Sequence, residues 1–286
     1  MSDNELGAYL RARREAVRPA DVGLPEGSRR RTPGLRRSEL ATLAGVSVEY
    51  LTRLEQGRDR HPSIQVLGAL GDALRMTPEE RVHLRNLSKI SSGAFALCPG
   101  AEQFPARTVR ATVRAVLDRL EPTPAAVLNR LGEVVAGTAG FERLYGPLGL
   151  PAAGDPPSLL RYVFTDPRAR VAHPDWDHVA DELAAALRLE VTAGDRFAGE
   201  LAAELEFAAG EAFAERMARP PAPPLVAPVL RLAHPEAGEL RLAREVLEVD
   251  GGDQRLVVHL PADAATAAAL DRLTGRHPGA LRAVTA

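Results

Sequence analysis

The apolar positions of this chain change their spacing several times, and each change marks an element. Between Arg37 and Gln56, RSELATLAGVSVEYLTRLEQ, the residues Leu40, Leu43, Val46, Leu51 and Leu54 form an apolar stripe that changes direction near Gly45. The pattern predicts two helices joined by a tight turn. Ala41 is small where the helices would cross, and Gly45 stands where the turn asks for a positive φ. Ser47 is a natural N-cap for the second helix, because its hydroxyl accepts a bond from a free backbone N–H.

The same reading extends in both directions. Leu6, Leu10 and Val17 mark a first helix over about Asn4–Val17, which Pro19 closes. From Pro19 to Gly34, three prolines and three glycines preclude regular structure. The two central helices fall at about Leu35–Ala44 and Val48–Gln56. Pro62 and Ser63 open a fourth helix that runs through Leu74. A fifth opens at Thr77-Pro78-Glu79-Glu80, with Thr as N-cap, Pro at N1 and Glu at N3, and turns Leu84 and Leu87 inward. Residues 91–106 have little periodicity and read as a linker between a first domain, 1–90, and a second, 107–286.

The second domain mixes both periods. A helix over about Arg107–Leu120 precedes Pro122 and Pro124. Ala125–Arg130 and Glu133–Gly137 read as short strands about Leu131–Gly132. Helical segments follow at about Gly140–Tyr145, Ser158–Phe164, Asp175–Val191, Phe197–Ala208 and Glu211–Ala218. After the breaker ARPPAPPLVAP come strands at Val229–Ala233, Glu239–Val249 and Arg255–Pro261, then a helix over about Ala264–Gly275. Strands at both ends with helices between them predict an α+β domain with one antiparallel sheet.

Composition narrows the function classes. The 286 residues suit two domains, and with aromatics at 4% the packing falls to Ala, Leu and Val. The single cysteine, Cys98, permits neither an internal disulfide nor a Cys-based zinc site. The N-terminus has no signal-peptide pattern and no apolar run approaches membrane-spanning length, so a soluble, cytoplasmic protein with no membrane partner is expected. Net charge is −2, unevenly spread. Residues 1–90 hold 16 Lys and Arg against 12 Asp and Glu, a net +4, and the remainder holds 20 against 26, a net −6. The basic part is the part with the two-helix motif, and the acidic part would be repelled by DNA.

No G-x-G-x-x-G, P-loop, G-x-S-x-G or H-E-x-x-H sequence is present, and no enzymatic activity is expected. His173 and His178, five apart, do not share a helical face, and with Asp175, Asp177 and Asp181 they read as a capped helix start rather than a metal site. No metal and no cofactor are expected.

The two-helix motif reads as a helix-turn-helix, whose second helix lies in the major groove of double-stranded DNA. Its groove-facing positions are Ser47, Val48, Glu49, Thr52, Arg53 and Gln56. Arg53 suits a bidentate bond to guanine, Glu49 a bond from cytosine N4, and Val48 contact with a thymine methyl. The competing role for Arg53 is an intrahelical pair with Glu49, four residues earlier. Arg36, Arg37, Arg58 and Arg60 flank the two helices as phosphate contacts, joined by Tyr50. The run Arg29–Arg31 either tracks phosphates or is a solvated loop. One short recognition helix reads few bases, so a homodimer on two half-sites is expected.

The run GLRRSELATLAGVSVEYLTRLEQGRDRHPS, Gly34 to Ser63, with LGAYLRARREAV before it and VLGALGDALRMTPEERVHLRNL after it, resembles XRE-type regulators of the MmyB-like branch. The resemblance is dense over residues 4–88 and looser beyond. It implies an all-α, five-helix, lambda-repressor-like domain followed by a PAS-like domain that holds a small apolar molecule, such as a fatty acyl chain, between sheet and helices. In the second half RYVFTDPRARVAHPDW (161–176), HPEAGELRL (234–242) and DQRLVVHLP (253–261) resemble the family's segments. The chain departs from the family twice. Gly137–Thr138 replaces a usual Trp–Asn, and Met217 with ARPPAPPL replaces a usual Trp and His–Asp–Val–Arg. Losing a Trp removes a large wall, so either the ligand differs or the pocket has been abandoned.

Candidate pocket residues, on helical faces turned toward the sheet, are Phe141, Leu144, Tyr145, Leu160, Phe164, Trp176, Leu183, Phe207 and Phe213. The bland role for each is ordinary core, and Tyr145 and Trp176 stand out because each has a polar handle. Two functional readings follow. In one, a transcription regulator senses an apolar effector through its second domain. In the other, that domain serves only dimerisation or protein contacts. An antitoxin-like role is disfavoured by the large folded second half.

Overall fold

The computed structural model describes residues 4–25, 33–59, 61–91, 103–152, 154–219, 229–249, 253–275, 281 and 283–284. The chain divides into two compact units, one centred on Met1–Ala101 and the other on Glu102–Glu190, Arg196–Met217 and Pro224–Ala286.

The first unit is helical: α1 (Glu5–Ala16), α2 (Arg37–Ala44), α3 (Val48–Glu55), α4 (Ile64–Ala73) and α5 (Pro78–Ser91), with a 3-10 turn at Pro19–Val22. Each start has a local cause. Asn4, Ser47 and Ser63 accept from the backbone N–H of Gly7, Tyr50 and Val66. At α5 the expected capping box forms, Thr77 N–H donating to Glu80 Oε2 at 2.9 Å and Glu80 N–H to Thr77 Oγ1 at 3.3 Å. Leu6, Leu10, Leu40, Leu51, Leu54 and Leu84 are buried in the core. Leu43, assigned to the apolar stripe, is instead 38% exposed, because the buried edge of α2 is Leu40, Ala41 and Ala44.

A buried carboxylate ties three of these helices. Glu55, 1% exposed at the end of α3, accepts from Arg14 Nε of α1 at 2.6 Å and from Arg37 Nε of α2 at 2.7 Å. Arg14 reaches on to the Leu35 carbonyl at 2.9 Å. Gly7 allows α1 to approach here, since a Cβ would lie 2.5 Å from the Leu54 carbonyl oxygen.

The second unit has one antiparallel five-stranded sheet, from β1 (Ala125–Asn129), β2 (Val134–Gly137), β3 (Val229–His234), β4 (Gly238–Glu248) and β5 (Gln254–Pro261), in the order β2-β1-β5-β4-β3. Its helices are α6 (Ala111–Arg119), α7 (Ala139–Tyr145), α8 (Leu159–Thr165), α9 (Pro167–Ala172), α10 (Trp176–Thr192), α11 (Arg196–Ala209), α12 (Glu211–Ala218) and α13 (Ala264–Thr274). Helix α9 had no counterpart in the sequence reading. It is a single short turn-and-a-half whose start depends on Asp166 accepting from Arg168 N–H, ahead of Pro167 at its first position.

Alternation along the strands separates two faces. Ala125, Val127, Leu256 and Val258 pack with Leu117 of α6. Ala126, Leu128, Val257 and His259 point the other way, toward α7, α8 and α10. The β1–β2 turn is locked by Asn129, whose Oδ1 accepts from Leu131 N–H and Glu133 N–H and whose Nδ2 donates to Glu133 Oε2.

Candidate functional site

Two places can carry recognition, one on the surface of the first unit and one inside the second. On the surface, α2 and α3 form the expected helix-turn-helix. Gly45 ends α2 in the left-handed conformation at φ 65°, and Val46 N–H closes the turn on the Ala41 carbonyl at 3.0 Å. Leu51, Leu54 and Glu55 face inward, which leaves Val48, Glu49, Arg53 and Gln56 on the solvent face. Ser47 Oγ is engaged as N-cap by Tyr50 N–H at 3.0 Å, and Thr52 Oγ1 donates to the Val48 carbonyl at 2.7 Å. Arg53 makes no ion pair with Glu49 among the described residues. Its guanidinium lies 5.7 Å from the centre of the Tyr50 ring.

Of the flanking cations, Arg36 and Arg58 are exposed. Arg37 is not a free counterpart to them, because its Nε is taken by Glu55. Arg60 and the Arg29–Arg31 run lie outside the described residues.

The second place is a cavity of about 230 Å³ between the sheet and the helices. Ala126, Leu128, Val246 and Val257 form its floor, Phe141 and Tyr145 of α7 and Val163 of α8 one wall, and Val179, Leu183 and Ala186 of α10 another. Of the nine expected lining residues, Phe141, Tyr145 and Leu183 are there. Leu144, Leu160, Phe164, Trp176 and Phe213 are instead packed in the core away from the cavity. Phe164 sits edge-on to both Trp176 and Phe213. The indole N–H of Trp176 donates to the Val163 carbonyl at 2.9 Å, and Arg170 and Arg216 cover its ring, so its polar handle joins helices rather than greeting a ligand. Phe207 is 95% exposed and walls nothing, because α11 turns Ala198, Leu201 and Leu205 inward instead. Where the family has Trp–Asn, Thr138 N-caps α7 by accepting from Phe141 N–H at 3.1 Å, and a side chain at Gly137 would meet the Phe141 ring.

Sequence reasoning missed the polar part of the lining: His173, Glu182, Arg244, Arg255 and His259. The strand alternation that puts Val257 on the cavity face also puts Arg255 and His259 there, and that was the available signal. Arg244 stands opposite His259 in the β4–β5 register and pairs with Glu182 of α10. The Tyr145 hydroxyl and His259 Nε2 are 3.3 Å apart. Burial, reinforced by the Arg244 charge, holds His173 down at about 4 and His259 at about 3, so both imidazoles are neutral. Burial pushes the Tyr145 phenol up, so it too is neutral. His173 and His259 are each 3% exposed. His178, Asp175, Asp177 and Asp181 are not drawn together with them: Asp175 pairs with Arg231, and Asp177 and Asp181 with Arg216. Among the described residues no helix is long and apolar enough to cross a membrane.

Comparison with known families agrees with this division of labour. Residues 5–84 match the family described as a helix-turn-helix domain, and residues 109–273 match the MmyB-like transcription regulator ligand binding domain. Both families are regulatory rather than enzymatic. No curated protein matches the chain. The second match covers more than half of the chain, which therefore belongs to the MmyB-like family of helix-turn-helix transcription regulators.

Proposed function

We propose that this regulator reads a specific DNA site through α3 and that a small, largely apolar ligand in the sheet–helix cavity changes its affinity for that site. The cavity is the observation that carries the reading. An interface built only to dimerise has no need of an unfilled space lined by Phe141, Leu183, Val257 and buried polar groups. On DNA, Arg53 discriminates one base, supported by Glu49, Val48 and Gln56, while Arg36 and Arg58 hold phosphates. The DNA-binding part corresponds to residues 1–90 and the ligand-binding part to residues 107–286. The working species is a homodimer on two half-sites.

Selection of duplexes from a random library gives the site, and titrations of two variants then separate the roles. Arg53→Ala is expected to lose about 1–3 kcal/mol of discrimination at one base position. Arg58→Ala is expected to weaken all duplexes alike and to lower the salt slope by about one. Unchanged affinity and unchanged preference in Arg53→Ala would remove it from the reading set. Ala186→Trp, which fills the cavity, is expected to alter affinity for the selected duplex without altering preference, and identical affinity would sever cavity from DNA. Native mass spectrometry counts the subunits, and a monomer on a two-half-site duplex would end the dimer reading.

A further inference from the structure

Arginines of the first unit are held in two different ways. Arg13, Arg14, Arg18, Arg37 and Arg81 each rest on a carboxylate, that of Glu80, Glu55, Asp21, Glu55 and Asp72 in turn. Such a pair fixes a guanidinium by using its N–H donors, as the Nε of Arg37 is used by Glu55. Arg53 is held otherwise. Its side chain makes no ion pair or hydrogen bond among the described residues, and its guanidinium carbon lies over the ring of Tyr50, 5.7 Å from the centroid. Glu49, the carboxylate four residues before it, stays exposed. An aromatic ring attracts a cation through its π-electrons and uses none of its N–H groups. The donor fork of Arg53 therefore stays whole.

Tyr50 is itself fixed. It is the third residue of α3, its N–H donates to Ser47 Oγ at 3.0 Å, and its side chain is half-buried. Ser47, Tyr50 and Arg53 follow one another at a spacing of three and share one side of the helix. The phenol is pushed up, first by burial and then by the carboxylate of Asp59, so the hydroxyl is neutral and stands in a negative field. The sequence reading set Tyr50 among the phosphate contacts. A phosphate carries the same sign as Asp59, which disfavours that role.

We infer that Tyr50 is a positioning residue for base recognition: its ring holds the Arg53 guanidinium in place with the N–H fork unspent, for use on one base edge in the major groove. The inference rests on the reading of Arg53 as a base reader. Guanine O6 and N7 accept from two N–H groups of one guanidinium, and both bonds must form together. A long side chain that samples many rotamers loses that freedom on docking, and one already restrained by a ring loses less. A carboxylate partner would restrain Arg53 equally well but would occupy the donors that the base needs. Specificity at this position thus depends on a residue that touches no base.

Affinities of the full-length protein for the selected duplex, and for duplexes changed by one base pair at a time, test the assignment. Tyr50→Leu is expected to reduce discrimination about two- to fivefold, the worth of an exposed cation–π contact, at the position that Arg53→Ala relaxes and at no other. Tyr50→Phe, which supplies a ring without the hydroxyl, is expected to rescue that discrimination. In an Arg53→Ala background, Tyr50→Leu is expected to add nothing further at that position. Weakening of all duplexes alike by Tyr50→Phe would make the hydroxyl a phosphate contact and overturn the assignment. Relaxation of a different position by Tyr50→Leu would make Tyr50 a base reader in its own right, which overturns it equally. Should Tyr50→Leu not fold, Tyr50→Met, a good helix former without a ring, takes its place in every comparison. If Arg53→Ala relaxes no position, the base-reading assignment itself fails and the role of Tyr50 with it. If Arg53→Ala relaxes one position and Tyr50→Leu leaves it intact, only the role of Tyr50 fails.

Discussion

Both units bury charged and polar side chains, and they do so in opposite ways. In the first unit Glu55 is 1% exposed, yet its two oxygens accept from Arg14 and Arg37 at 2.6–3.2 Å, and Arg14 goes on to a backbone carbonyl. In the second, His173 is similarly buried, but neither of its ring nitrogens has a hydrogen-bond partner among the described residues. A completed network fixes the angles between helices and has nothing left to offer a ligand. An incomplete one is disfavoured in the empty state and ready for a molecule that completes it. The contrast separates a structural hub from the proposed ligand site where burial alone does not.

The largest effect is expected at the completed network. Glu55→Gln leaves Arg14, with 7% of its side chain exposed, facing a neutral amide. Breaking a buried pair in this way costs about 3–5 kcal/mol. Urea denaturation should register that loss in the first unit, and a loss below about 1 kcal/mol would place Glu55 among ordinary surface pairs.

The incomplete network gives a pH signature of defined sign. His173 and His259 are held at about 4 and about 3, below the ordinary 6.5. Between those values and 6.5 the unfolded chain binds protons that the folded chain refuses. Stability from this source is therefore full above about pH 6.5 and falls as pH drops toward 4. Stability curves of the unaltered protein and of His173→Leu should diverge over that interval, the variant sloping less. Parallel curves would mean that His173 takes up its proton in the folded state. At neutral pH the same substitution removes an unmatched polar group and is expected to stabilise by about 1 kcal/mol.

The smallest effect sharpens the contrast at the level of one helix start. Ser47 Oγ serves the Tyr50 N–H, so Ser47→Ala should cost about 1 kcal/mol of stability and weaken DNA binding indirectly, through a frayed α3. A change of sequence preference without any loss of stability would make Ser47 a base reader rather than a cap.

The comparison also explains which parts were legible. The α2–turn–α3 motif was readable because its signals are local: Gly45 at positive φ, Ser47 as cap and a helical stripe within twenty residues. Solvent exposure of Val48, Glu49, Arg53 and Gln56 follows once Leu51 and Leu54 are turned inward. The engagement of Arg37 by Glu55 was not readable, because it depends on a contact eighteen residues away. The cavity was read only in part. Aromatic residues stand out on the helices, yet Trp176 and Phe213 both pack against Phe164. The polar lining lies mostly on β4 and β5, where Arg244 and His259 look like any charged or polar strand residues.

The sequence by itself determined two domains of different class, the helix-turn-helix, the order of the strands and of the helices other than α9, and the uneven charge, because propensity, capping and periodicity act over a few residues. Only the tertiary structure decided that Phe207 faces solvent, that Trp176 pins α8 to α10, and that His173, His259 and Arg244 share one cavity. Those outcomes depend on how a helix is rotated about its axis and on the register of two strands distant from α9 and α10. A helix with apolar residues on more than one face can be buried in several rotations, and side-chain packing across the whole sheet selects one of them.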